Sequence, residues 1–166
     1  FTFVDPAFLS VYKNHFGNFP ALSYAPVAET PKLLVICPSG WMPLMQPFVD
    51  WKKRKGISTE MVDVLAAGGT ASSIQAYIAN QYLTNGIGYV LLVGDAAQLP
   101  TLTAQGGASD PSYGYVVGSD SYAEVMIGRF SAETDDDVRT QVQRVLDYEL
   151  YADTTWHHLS NGVAIG

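Results

Sequence analysis

The sequence predicts an α/β fold in which a mostly parallel sheet carries helices on both faces. Two continuous apolar runs, at residues 33–37 and 89–93, are typical of strands that are covered on both sides. Apolar residues recur at helical spacing between and after these runs, and such alternation favours parallel pairing through right-handed crossovers. Ligands of such sheets gather at the carboxyl ends of the strands, so functional side chains are expected there.

The first half of the chain is predicted to alternate between strands and helices. After the strand at 33–37, a helix is expected over residues 43–55, with Pro47 in or near its first turn. A second strand follows at residues 58–64. The next helix, over residues 70–82, starts on a threonine whose side chain can cap it. The second apolar run then forms the third strand.

The second half is predicted to contain a long loop, two short strands and one helix. The loop spans residues 96–111, and the strands, at 113–117 and 124–130, flank an acidic turn. Thr134 and Asp137 open the helix as a capping box in which Asp replaces the usual Glu or Gln. The inner face of this helix is predicted to be Val138, Val142, Val145, Leu146 and Leu150.

Length and composition indicate one globular domain with a sizeable core. The chain has 166 residues, of which 48% are hydrophobic and 15% charged, so it does not have the composition of a disordered protein. The net charge of -7 disfavours a nucleic-acid partner, because the surface repels phosphates. A single cysteine excludes an internal disulfide.

The two ends predict that the chain is a piece of a longer polypeptide. It starts with Phe1 rather than Met, and residues 161–166 read as the opening of a buried strand near Gly162. Residues 1–31 are aromatic-rich and contain four prolines. They are predicted to be a leader, or the end of a pro-segment or linker, with a short helix at 7–15.

The acidic turn is the strongest candidate for a functional site. Calcium takes six to eight oxygen ligands from carboxylates, carbonyls and water. Residues an even number apart on an extended chain point to the same side, so the two acids of the turn are expected to converge. The alternative is a solvated polar hairpin. The candidate donors are the carboxylates of Asp95, Asp120 and Glu124 and the carbonyls of Tyr122 and of either Val117 or Gly118.

Three other charged or motif-like stretches have structural alternatives. Residues 93–100 look like a helicase GD-x-x-QLP signature, but the sequence lacks the Walker-type loop that such a protein needs. The basic run 52–55 is interpreted as a solvated helix end rather than a binding site for an anionic partner. The acids at 135–137 suit a helix start, and a second metal site is the lesser option.

The single cysteine is interpreted as structural. Cys37 ends an apolar strand, where a free cysteine usually packs as a small hydrophobe. A catalytic dyad needs a histidine within hydrogen-bond reach of the thiol, and His15, His157 and His158 show no evident pairing with it. No catalytic residue is therefore assigned.

A series of short segments matches, in order, one known family over about residues 24–166. The segments are LLVI at 33–36, FVDWK at 48–52 with KG at 55–56, YVLLVGD at 89–95, SD at 109–110 with YG at 113–114, VG at 117–118 with Asp120, Tyr122 and Glu124, IGRFS at 127–131 and DYE at 147–149. On these segments the chain resembles the gingipain-type cysteine peptidases of family C25.

The resemblance implies a caspase-like three-layer sandwich of two side-by-side subdomains. Residues 32–166 would be the N-terminal subdomain, truncated at its C-terminus. The catalytic histidine and cysteine of the family match nothing here, and the assisting acid would fall past Gly166. The resemblance also implies a structural calcium ion, with ligands at the positions of Asp95, Val117 (carbonyl), Asp120, Tyr122 (carbonyl) and Glu124.

These implications define the expected function. The parent protein would be a secreted cysteine endopeptidase, extracellular or on the bacterial outer-membrane surface, and this chain would be its non-catalytic, calcium-stabilised half. Its partners would be the C-terminal catalytic subdomain and the protein or peptide substrates of the full enzyme. The alternative is a non-enzymatic or type IX secretion-associated module, sortase-like or signal-peptidase-like, with the same fold.

Overall fold

A computed structural model describes residues 32–118 and 122–150 together with two short strands near the start of the chain. These strands, β1 (Phe3–Val4) and β2 (Ala25–Pro26), pair in parallel. The short helix predicted at 7–15, the strand predicted near Gly162 and the candidate ligand Asp120 all lie outside the described residues.

The central sheet confirms the predicted parallel arrangement. Its four strands are β3 (Lys32–Cys37), β4 (Ser58–Asp63), β5 (Tyr89–Val93) and β8 (Met126–Phe130). They stand in the order β4–β3–β5–β8, and every neighbouring pair is parallel. The two central strands are almost wholly buried, as their continuous apolar runs predict.

Helices cover both faces of this sheet, as the α/β prediction requires. The three helices are α1 (Met42–Arg54), α2 (Ala71–Asn85) and α3 (Asp135–Leu150). Helices α1 and α3 pack on one face, with Phe48 and Val138 buried against Val93. Helix α2 packs on the other face, where Ile74 and Ile78 are fully buried.

The predicted helix caps are confirmed. The Thr70 hydroxyl accepts a hydrogen bond from the Ser73 amide at 3.3 Å, and α2 ends at Gly86, which adopts the left-handed conformation. At the start of α3, the Asp137 carboxylate accepts from the Thr134 amide at 2.9 Å, and the Thr134 hydroxyl accepts from the Asp137 amide at 3.3 Å. An aspartate therefore completes this capping box.

Pro47 is the sixth residue of α1, near its first turn as predicted, and Pro43 occupies the N-terminal position that tolerates proline. One prediction about the helices is wrong. Leu150 is 40% exposed and does not belong to the inner face of α3. It is the last helical residue, where the helix has passed the edge of the core.

Of the two strands predicted around the acidic turn, the one at 124–130 is confirmed as β8 and the one at 113–117 is wrong. Strand β8 pairs in parallel with β5, and residues Pro111–Gly114 form a short 3-10 turn instead of a strand. Tyr113 is fully buried in this turn, and its hydroxyl donates to the carbonyl of Pro100 at 2.6 Å. Burial of this large ring outweighs the β propensity of the segment. The preceding loop contains a small hairpin of β6 (Thr103–Ala104) and β7 (Gly107–Ala108).

None of the helices in the described part of the chain is long and apolar enough to cross a membrane.

Helices α1 and α3 are joined by one carboxylate, which we call the Glu149 clamp. Glu149 accepts hydrogen bonds from Trp51 Nε1 at 2.7 Å and from the ammonium groups of Lys52 and Lys55 at 2.5 and 2.9 Å. Burial alone would raise the pKa of this carboxyl, but the hydrogen bonds from Lys52, Lys55 and Trp51 outweigh it and lower the pKa to about 2. Two of the four basic residues at 52–55, which were predicted to be solvated, therefore pair with Glu149.

The Glu149 clamp predicts a specific loss of stability in acid. The pKa of Glu149 is about 2 in the folded chain against an ordinary 4.5, so the unfolded chain takes up the proton first as the pH falls. The contribution of the clamp is complete above about pH 4.5 and is lost towards pH 2. Glu149→Gln is expected to lower the free energy of unfolding by about 2 kcal/mol at pH 7 and to flatten this acid limb.

Urea unfolding from pH 7 to pH 2.5 measures both effects. Asp50→Asn is a suitable control, because Asp50 lies on the exposed side of α1 and is bonded there by Gln46 of the same helix. It is expected to change stability by about 0.3 kcal/mol and to keep the wild-type pH profile. If the stability of the Glu149→Gln variant fell as steeply with decreasing pH as that of the control, the proposed contribution of the Glu149 clamp would be contradicted.

Candidate functional site

Asp95 lies at the carboxyl end of β5, where the fold class predicts functional side chains. Its amide donates to the carbonyl of Ala132 at 2.9 Å, so the residue continues the pairing of β5 with the chain that follows β8. Its carboxylate is half-buried and accepts from the Ser131 hydroxyl at 3.5 Å. Its carbonyl accepts from the amides of Gln98 and Leu99, which closes a tight turn.

Glu124 is positioned by backbone amides at the other predicted site. Its Oε2 accepts hydrogen bonds from the amides of Val116 and Val117 at 3.0 and 3.2 Å. Its own amide donates to the carbonyl of Gly114 at 3.0 Å. The structure therefore brings Glu124 and Val117 together through the Val117 amide. Glu124 lies in a loop that precedes β8 and is not part of a strand.

The register of the sheet separates Asp95 from Glu124. Tyr89 pairs with Met126 at the amino end of β5 and β8, and Asp95 bonds to Ala132 at the carboxyl end. The six residues from Met126 to Ala132 correspond to about 20 Å of strand. Calcium binds oxygen atoms at about 2.3–2.6 Å, so a shared ion needs both carboxylates close to it. The register places the two residues near opposite ends of the strand pair, and the assignment of Asp95 as a calcium ligand stays a prediction.

The remaining candidate ligands surround the end of the acidic turn. Val117 is 46% exposed and Tyr122 is 80% exposed, so the solvent reaches this loop. Carboxylate and carbonyl oxygens of this kind suit a hard cation such as calcium. Among the described residues, no group of three or more His, Cys, Asp or Glu is close enough to hold a metal ion. Because Asp120 lies outside those residues, the calcium site stays a prediction.

An ion pair that the sequence analysis did not assign holds the long loop to β8. Arg129 donates through Nε and Nη2 to both carboxylate oxygens of Asp110, at 2.7 Å each. Its Nη1 donates to the carbonyls of Gly94 and Leu99 at 2.7 and 3.0 Å. We call these contacts the Arg129 latch. Asp110 and Arg129 both lie in segments that carry the family resemblance, and this was the one sign in the sequence that the two residues matter.

The Arg129 latch also explains the segment that looks like a helicase signature. Leu99 is fully buried, and its carbonyl is bound by Arg129. The side chains of Gln98 and Trp41 both pack against Gly94, where an added Cβ would lie 2.8 Å from the Gln98 Cβ and 3.3 Å from the Trp41 ring. The residues of this segment therefore form the packed turn that follows β5.

Cys37 has the surroundings of a structural residue. Its side chain is fully buried in the core between α1 and the sheet, as predicted. Burial, with a smaller contribution from Asp63, raises the pKa of the thiol to about 12. Because the thiolate is the nucleophilic form, Cys37 is inert at neutral pH.

Comparison with known proteins agrees with this fold. The model of "Peptidase family C25" matches residues 27–165. The chain belongs to peptidase family C25. It is 40% identical over 148 residues to Gingipain R2 of Porphyromonas gingivalis (strain ATCC BAA-308 / W83), a match that covers 86% of this chain and 20% of that protein.

Two solved structures place this C25 chain in the same fold. The crystal structure of the Arg-specific cysteine proteinase gingipain R (RgpB) aligns with a TM-score of 0.69 at 38% identity, over 75% of this chain and 30% of that one. The complex of Porphyromonas gingivalis RgpB pro- and mature domains aligns with a TM-score of 0.68 at 39% identity, over 70% and 29% of the two chains. The chain thus spans about a fifth of the curated relative and under a third of the solved chains.

Proposed function

We propose that this C25 chain is the non-catalytic, N-terminal part of a secreted cysteine endopeptidase of the gingipain type. The observation that carries the proposal is the family match over residues 27–165, with 40% identity to Gingipain R2. The buried thiol of Cys37 supports a scaffolding role for this part, because a nucleophilic cysteine needs an exposed site that favours the thiolate.

The chemistry of the full enzyme would come from the remainder of the polypeptide. A thiolate would attack the peptide carbonyl, a histidine would act as general base, and backbone amides would stabilise the oxyanion. The described residues would contribute a rigid sheet, held by the Glu149 clamp and the Arg129 latch, against which the catalytic part packs. Release outside the cell or on the bacterial outer-membrane surface belongs to the same proposal.

Peptide hydrolysis assays test whether this chain is the non-catalytic part of the enzyme. The purified 166-residue chain is expected to be inactive on peptides with Arg or Lys before the scissile bond. The polypeptide extended by its natural continuation is expected to cleave one of them, to lose activity on alkylation of its thiols, and to keep activity as the Cys37→Ala variant. Hydrolysis by the short chain that stops when Cys37 is alkylated would refute the proposal, and an inactive extended chain would favour a non-enzymatic or secretion-associated module.

We also propose that calcium binds at the acidic turn through Val117, Asp120, Tyr122 and Glu124. The anchoring of Glu124 beside Val117 supports this set. An ion that binds only the folded chain stabilises it by about 2.7 kcal/mol at a free concentration one hundred times its Kd. A chelator is therefore expected to lower the melting temperature of the wild-type chain, and added calcium to restore it.

Isosteric variants make the calcium test specific. Glu124→Gln keeps an oxygen that can accept from the amides of Val116 and Val117, and Asp120→Asn likewise removes only charge. The double variant is expected to melt at the same temperature with and without calcium. Asp50→Asn is the matched control, because Asp50 lies on the exposed side of α1, and it is expected to keep the full calcium response. A wild-type melting curve that ignores the chelator would count against the site.

A further inference from the structure

Two exposed apolar side chains lie next to each other at the amino end of the sheet. Tyr89 of β5 and Met126 of β8 are register partners, so they project from the same face, and they are 42% and 69% exposed. The next pair along this face is Leu91 and Gly128, where the glycine leaves Leu91 without a neighbouring side chain on β8. We call Tyr89, Met126 and Gly128, with Tyr148 of α3, the amino-edge patch.

Helix α3 borders this patch without covering it. The Glu149 clamp ties the end of α3 to Trp51 of α1, on the side away from β8. Gln141 donates to the carbonyl of Ser131, so its flank of α3 faces the β8 side. Tyr148 is seven residues further on, which places it on the same flank, and it is 54% exposed. Tyr148 therefore lies on the flank of α3 that faces the β8 side, and we count it with the amino-edge patch.

The two outer strands of the sheet differ in how they meet the solvent. Strand β4 carries Glu60 and Asp63, and charged side chains are a common protection of an edge strand. On β8, Met126 and Gly128 are exposed, and the only charged side chain, Arg129, is turned onto Asp110. An exposed apolar patch at the end of an outer strand marks a surface that another segment covers.

The course of the chain identifies that segment. Helix α3 starts at the carboxyl edge, where Asp135 accepts from Trp41 Nε1, and ends near Lys55, which precedes β4. Leu150 therefore lies at the amino edge of the sheet, the same edge as the patch. Six further residues reach at most about 20 Å. The apolar side chains within the following 16 residues are Tyr151, Trp156, Leu159, Val163 and Ile165.

We propose that the amino-edge patch is the docking surface for residues 151–166 of the same chain. The segment carries one acidic residue and no Lys or Arg, so apolar burial rather than ion pairing drives the contact. Docking here would anchor the segment beside β8. The proposal concerns this chain alone and does not depend on peptidase activity.

Fluorine NMR of the chain labelled with 5-fluorotryptophan tests the docking. The chain has three tryptophans, Trp41, Trp51 and Trp156, and Trp→Phe variants assign their resonances. In the wild-type chain the Trp156 resonance is expected to differ from its position in urea. Met126→Lys is expected to return it to the urea position while Trp41 and Trp51 keep their native shifts, which shows that the variant is folded.

Leu65→Lys is the matched control. Leu65 is 77% exposed and follows β4 at the opposite end of the sheet. This variant is expected to leave all three resonances in place. A wild-type Trp156 resonance already at its urea position would overturn the proposal. A Trp156 shift that varies with protein concentration, in a chain that sediments as a dimer, would also overturn it and assign the patch to a second copy.

Discussion

Replacing Arg129 by methionine is expected to lower the free energy of unfolding by about 3 kcal/mol, as removal of one partner of a buried ion pair does. The guanidinium is 11% exposed, and it is bonded to both oxygens of Asp110 and to the carbonyls of Gly94 and Leu99. Methionine keeps the apolar stem. It leaves a half-buried carboxylate and two carbonyls without their donors, and that loss dominates the cost.

Urea unfolding at pH 7 measures this loss against a surface ion pair. Arg139 lies 3.9 Å from Asp136, and its side chain is 59% exposed. Arg139→Met is therefore expected to cost about 0.5 kcal/mol or less. A loss in the Arg129 variant no larger than in this control would show that the latch contributes little. Asp110→Asn is expected to lower the free energy of unfolding by an amount between the losses in the two arginine variants, because the amide oxygen can still accept from the guanidinium.

Gly114→Ala is expected to cost about 2–3 kcal/mol through steric overlap. The added Cβ would lie 2.3 Å from the carbonyl oxygen of Val125 and 3.3 Å from the Cβ of Ala123. The backbone cannot easily move away, because the carbonyl of Gly114 accepts from the amides of Glu124 and Val125 at 3.0 and 3.4 Å. Any shift that relieves the overlap therefore also displaces Glu124, and the proposed stabilisation by calcium should fall with it.

Gly88→Ala is the control for this substitution. No heavy atom lies within 4 Å of a Cβ built at Gly88, so alanine is expected to leave stability unchanged or to raise it by up to about 1 kcal/mol. Thermal unfolding with and without calcium compares the two variants. A Gly114→Ala chain as stable as the Gly88→Ala chain would contradict the close packing of this turn.

Local patterns were sufficient to predict most of the fold. The apolar runs of β3 and β5 need no tertiary information, because burial on both faces removes the polar alternation of a half-exposed strand. The caps at Thr70 and Thr134 are equally local, since a side chain and an amide three residues away form each of them. The segment around Tyr113 was mispredicted because its conformation depends on a ring that fills a distant part of the core.

The candidate site was only partly predictable for the same reason. The contact of Glu124 with Val117 spans seven residues and follows from the loop itself. The distance between Asp95 and Glu124 depends on the register of β5 against β8, which no spacing within one segment specifies. The Arg129 latch joins residues 19 positions apart, and only the return of the loop beneath β8 brings them together.

The position of α3 has a consequence for how far this sheet can grow. Helix α1 carries the chain from β3 sideways to β4 on one face, and α2 carries it back past β3 to β5 on the other. Both moves have the same hand. Helix α3 follows β8 and lies on the same face as α1. A connection of the same handedness through α3 would have to cross the whole sheet and place the next strand beyond β4. A fifth parallel strand beside β8 would need the rare opposite hand, so this topology favours a sheet that stops at four strands.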